Sequence, residues 1–188
     1  MLHAITLQKE TIKAKSTAIL TAIVFAVALP QLFHVLGAVS GMGTSLGQAF
    51  LPMHLPILLV GLLAGPVVGT VAGALSPLLS FALSGMPGAA MVPFMMIELA
   101  GYGLAAGFLG KTKMPVIVKL LLAQVAGRII RAAAVFAAVY GMGSEAVTVS
   151  SIWMSIATGL PGLALQWCLI PLAVFWLENR EKDRKSVV

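Results

Sequence analysis

From Ser16 to Gly110, half of the chain, there is one formally charged side chain, Glu98. A fold wetted on its outside needs charged groups over most of its surface, so this stretch does not suit water. In hydrocarbon the same stretch is favoured, because each charge there costs about 3 kcal/mol or more. The stretch therefore names the solvent as lipid. It also marks Glu98 as a carboxylate that needs partners. Composition agrees: 60% of residues are hydrophobic and 10% charged, against about 25% charged in soluble domains. A spanning helix takes about 20 residues, so 188 residues hold about six. The expected fold is an all-α integral membrane protein with six transmembrane helices. That length leaves no room for a nucleotide-binding domain, and no Walker-type phosphate loop is present. If ATP drives this protein, another chain hydrolyses it.

Gly/Pro clusters and charges divide the chain. The first span is expected at 15–35, followed by a Gly/Ser-rich loop at 36–51. The second runs from 52 to 65, short enough that it is tilted or continues from the loop. The third covers 66–84, the fourth 90–110, the fifth 116–140 and the sixth 151–177, the last bent at Pro161 and Pro171. The domain reading is a cytoplasmic segment at 1–14, a membrane domain at 15–177 and a charged cytoplasmic tail at 178–188. Lys9, Lys13 and Lys15 precede the first span as in a signal peptide. That span is long and lacks a convincing cleavage site, so it is expected to be retained. With six spans, one side holds these lysines with Lys111, Lys113, Arg180, Lys182, Arg184 and Lys185, and the opposite loops hold no Lys or Arg. The positive-inside rule then places both termini in the cytoplasm. The loops at 36–51, 85–89 and 141–150 share the exoplasmic side.

Small residues recur every fourth position at Ala14, Ala18, Ala22 and Ala26, and again at Gly65, Gly69, Gly73 and at Gly103, Gly107. Such stripes let helices approach closely in lipid. The glycines read as internal packing. The alanines read as internal packing or as a docking face for a second membrane protein. Glu98 lies about two turns inside its span, with Tyr102 four residues on and on the same face. Arg128 and Arg131, three apart, share a face of the fifth span. Arg131 is at a depth similar to Glu98, and Arg128 is about a turn deeper. These groups form either an ion pair that locks two helices or part of an outward pocket for a polar solute. Two guanidiniums against one carboxylate leave a positive charge over. His54 begins the second span and is either an interfacial histidine or a ligand contact, while His34 gives no usable signal. Gln124 and Gln166 are amides at membrane depth. Met53, Met86, Met91, Met95 and Met96 gather near the exoplasmic ends, as core filling or as an adaptable wall around a flat ring. No His or Cys pair has metal-ligand spacing, and no catalytic motif is present, so neither a metal site nor an enzyme is expected. The lone Cys168 cannot form an intramolecular disulfide and reads as a small core residue.

Several segments together resemble the substrate-binding S components of energy-coupling factor (ECF) vitamin transporters. They are Phe50-Leu51-Pro52-Met53-His54-Leu55-Pro56, Gly65-Pro66-x-x-Gly69, Ser76-Pro77-Leu78-Leu79-Ser80, Gly85-Met86-Pro87, Glu98-Leu99-Ala100-Gly101-Tyr102-Gly103, Gly127-Arg128 and Pro161-Gly162-x4-Gln166-x4-Pro171. The alanine stripe looks like that family's alanine motif, which docks on the transmembrane coupling (T) subunit. The resemblance implies a six-helix bundle in a prokaryotic cell membrane, with a vitamin bound near the outside under the 36–51 loop. It implies partnership with a T subunit and two ATPase chains, which use the ATP, and release of substrate by toppling. The segments look closest to S components for pyridoxine-like or hydroxymethylpyrimidine-like rings, or pantothenate. The expected substrate-binding residues are Glu98, Tyr102, Arg128, Arg131, His54, Met53, Met95, Gln166 and Met86. The competing functions are a structural or assembly subunit, and a stand-alone secondary transporter. The latter usually shows internal repeats, and no convincing repeat is found here.

Overall fold

A computed structural model describes the backbone of residues 2–186, and the side chains of 11–177 together with Asn179 and Arg180. Among these residues the protein is helical throughout, with no strand. The helices are α1 (Leu2–Val39), α2 (Ser45–Phe50), α3 (His54–Ala64), α4 (Pro66–Ser84), α5 (Val92–Gly110), α6 (Val116–Phe136), α7 (Ser150–Thr158) and α8 (Leu160–Ser186). Among the described residues six stretches are long and apolar enough to cross a membrane: Thr11–Val39, Ser45–Ala64, Pro66–Ser84, Ala89–Gly110, Val116–Gly141 and Leu160–Leu177. Their outer faces carry large exposed hydrophobic side chains such as Leu20, Phe25, Leu83, Phe108 and Ile129. In lipid these faces need no polar cover.

The punctuation residues act where their chemistry predicts. Pro66 opens α4, where a missing N–H costs nothing. Gly85 closes it in the left-handed region at φ 70°, its N–H donating to Phe81 O at 2.8 Å. α4 and α5 pack most extensively, and the glycine stripes explain it. A methyl group on Gly103 would run into the backbone of Gly69, and one on Gly73 into the backbone of Leu99. The two backbones touch because no side chain separates them.

Three boundaries differ from expectation. α1 continues past residue 35 to Val39, with Pro30 inside it. The second span does continue from the loop: α2 and α3 together make Ser45–Ala64, interrupted at Leu51–Met53. The sixth span is not one bent helix from 151. α7 ends at Thr158 and α8 begins at Leu160, so only Leu160–Leu177 is long and apolar enough to cross. Gly159 with Pro161, which has no N–H to donate, accounts for the break. Pro171 stays inside α8, which runs unbroken through residue 178 to Ser186. The side chains of Lys9, Lys182, Arg184 and Lys185 lie outside the described residues.

Ala22 and Ala26 are buried in the chain's own core, in one cluster with Leu58, Ala72 and Tyr102. Of the two readings of the stripe, these two positions take internal packing. Close packing of α1 against α3 and α4 uses those two positions. Ala14 is exposed and Ala18 half-buried.

Candidate solute-binding site

Glu98 lies on the buried side of α5 and is 1% exposed. Arg131 on α6 donates from Nη1 to its Oε2 at 2.8 Å. Arg128, one turn earlier, brings Nη1 to 3.1 Å from Oε1 and also donates from Nη1 to Ser155 Oγ on α7 at 3.1 Å. The Tyr102 hydroxyl donates to Oε1 at 3.3 Å. Gly127 makes room for this arrangement: a Cβ there would sit 2.6 Å from the Tyr102 ring. His54, at the start of α3, places Nε2 3.9 Å from Oε1, too far for a hydrogen bond. Its ring meets the Tyr102 ring edge-on, with centroids 5.2 Å apart. Four side chains from three helices thus converge on one carboxylate. Such a centre is expensive to bury and costly to break.

Above this centre is a cavity of about 380 Å³. Glu98, Arg131 and His54 line it, together with Met53, Met86 and Met95. It is also lined by the α1–α2 connection and α2 (Thr44, Gly47, Gln48), by Pro87 and Gly88 between α4 and α5, and by α7. These segments share one end of the bundle. The opposite end carries the Gly65–Pro66 turn and the Lys111–Pro115 loop, where Lys119 Nζ donates to Gly110 O at 3.1 Å. α2 is held down on the start of α8: a Cβ on Gly162 would lie 2.8 Å from Ala49 O. Leu51, in the left-handed region at φ 47°, packs by Gly159. The mix of apolar walls and a few convergent polar groups is that of a small-molecule site.

The family model described as "ECF transporter, substrate-specific component" matches residues 16–174. The chain belongs to this family. Comparison with curated proteins and with solved structures gave no match. As a substrate-specific component, the chain is a substrate-binding transport subunit that works with an ECF module.

The structure distributes the expected substrate-binding residues into three groups. Glu98, Arg131, His54, Met53, Met86 and Met95 line the cavity of this S component. Tyr102 and Arg128 touch Glu98 but do not line it. Gln166 is elsewhere: its Oε1 accepts from Gln124 Nε2 at 2.9 Å, and Gln124 Oε1 accepts from Trp167 Nε1 at 2.7 Å. That chain of amides ties α6 to α8 inside the bundle. The reading of the sequence missed His34, Gln48, Ser151, Met154, Ser155 and Thr158, all of which line the cavity. A signal for part of this set existed. Ser151, Ser155 and Thr158 recur at helical spacing in a mainly apolar helix, which puts three hydroxyls on one face. Among the described residues no cluster of His, Cys, Asp or Glu could hold a metal ion.

Proposed function

We propose that this S component captures a small water-soluble vitamin or vitamin precursor at the exoplasmic face. The observation that carries the reading is the cavity whose wall includes Glu98, Arg131 and His54 together with residues of α2 and α7. Its size suits a ligand on the scale of a pyridoxine-like or hydroxymethylpyrimidine-like ring, or pantothenate. The methionines would adapt to the body of the solute, and the polar centre would fix its orientation. Tyr102 and Arg128 would act through Glu98 by holding the carboxylate in place.

The positive-inside rule supports placing the cavity's end of the bundle outside a prokaryotic cell membrane. Lys111 and Lys113 lie at the opposite end of the bundle, and both termini would be cytoplasmic. Transport would then use a T subunit and two ATPase chains, which consume the ATP. The S component would topple in the membrane to deliver its solute. The part of the alanine stripe outside the core, exposed Ala14 and half-buried Ala18, is the part of that face still available to the T subunit.

The test is purification of the chain from its native membrane under mild conditions. The expected outcome is an enriched small molecule in the released fraction, together with co-purified T and ATPase subunits. Protein that carries no small molecule and no ATPase would instead support a purely structural subunit, with the Glu98 centre serving only to lock α5 to α6.

A further inference from the structure

We infer that the solute is a small organic monoanion, an ionised carboxylic acid, bound with its carboxylate toward Arg131. The inference rests on the reading of the cavity as the solute site and names the chemical class it takes.

Charge balance is the first argument. Arg128 and Arg131 both lie within 3.1 Å of a Glu98 carboxylate oxygen. That carboxylate is the only one between Glu10 and Glu145. Glu145 is an exposed residue of the connection to α7 and does not line the cavity. The centre therefore carries one positive charge in excess. His54 cannot reverse this, because its ring is neutral or positive in either protonation state. An uncompensated cation at membrane depth is costly, and an anionic solute removes that cost on binding. A cationic ring would add to it.

The second argument is the set of unsatisfied groups. Arg131 Nε, Ser151 Oγ and both ring nitrogens of His54 are buried without a protein partner. All three residues line the cavity. Arg131 Nε can only donate, the Ser151 hydroxyl can donate, and at least one His54 nitrogen carries a proton. Glu98, the one carboxylate lining the cavity, is already engaged by Arg131 Nη1, Arg128 Nη1 and the Tyr102 hydroxyl. Among these unsatisfied groups donors outnumber acceptors, and Arg131 Nε can do nothing but donate. A carboxylate supplies two acceptor oxygens and no donor, and charge-assisted bonds to it are the stronger kind. The apolar part of the wall, Met53, Met91, Met95 and Met154 with Pro52 and Pro87, suits a compact and mainly apolar body.

Two measurements test this on the purified full chain. In the first, small molecules released by denaturation are identified by mass spectrometry in both ion polarities. The expected enriched species is a carboxylic acid ionised at neutral pH. An enriched neutral or cationic species overturns the monoanion while leaving solute binding intact. In the second, calorimetry compares nicotinate with nicotinamide and pantothenate with its alcohol, panthenol. The acid of at least one pair is expected to bind about tenfold or more tightly than its neutral partner. Equal or reversed preference overturns the inference. Arg131→Gln removes the excess charge and leaves Arg128 on Glu98, so that preference is expected to vanish; acid binding unchanged in Arg131→Gln also overturns it. If that variant does not fold, the wild-type comparison decides. No released molecule and no binding of any of the four probes would overturn both this inference and the solute-site reading.

Discussion

At the residue scale, Glu98 sets the hierarchy of the polar centre. It was legible from sequence because it is the one charge in a long apolar stretch. Its same-face neighbour Tyr102 followed from helical spacing, and the hydroxyl does reach Oε1. Less legible was that both arginines reach it, since Arg128 begins a turn deeper and closes the gap with the length of its side chain. The two kinds of contact differ in weight. Glu98→Gln leaves two guanidiniums buried without a counter-charge, and breaking a buried pair this way costs about 3–5 kcal/mol. The expected outcome is a large loss of folded protein or a strongly lowered denaturation midpoint in detergent. Tyr102→Phe removes one neutral donor at 3.3 Å, with an expected cost of about 1 kcal/mol. Equal losses in the two variants would refute this ranking.

The elements are joined by backbone contact as much as by side chains. The glycine stripes on α4 and α5 are packing surfaces, and the contact of Gly69 with Gly103 shows how: neither leaves room for a Cβ. Gly103→Val must push α4 from α5, and overpacking of this kind costs about 1–3 kcal/mol. A lowered unfolding midpoint is expected, whatever the solute. Gly162 has a different job, because it seats α2 on the start of α8. Gly162→Val should lift α2 and weaken solute binding, with a smaller effect on the unfolding midpoint than Gly103→Val. Comparing affinity and midpoint for the two variants checks the division of labour. The seat of α2 was hidden in the sequence, where residues 36–51 look like a Gly/Ser-rich loop. A helix of six residues has too little period to announce itself.

For the whole molecule, orientation and assembly are the quantities to measure. In a Cys168→Ser background, Lys113→Cys and Glu145→Cys place single thiols at exposed sites of opposite ends. With the positive end inside, an impermeant thiol reagent should label Glu145→Cys in intact cells and Lys113→Cys only after lysis. The reverse pattern would invert the proposed topology. For assembly, Trp at both Ala14 and Ala18 should reduce recovery of the T subunit and leave the fold intact, because neither position is buried. Undiminished recovery would remove the stripe from the interface. The sequence by itself determined the solvent, the six spans and the charge bias of the two ends. Partition into lipid is a sum over residues, and sums can be read without knowing which residues meet. Only the tertiary structure decided that Gln166 pairs with Gln124 rather than lining the cavity, that Ala22 and Ala26 face inward, and that α7 brings its hydroxyls to the cavity wall. These facts depend on how each helix is rotated about its axis. Helices that are apolar all round, as spans in lipid are, carry little amphipathic pattern to fix that rotation, so close packing and a few buried polar contacts fix it instead.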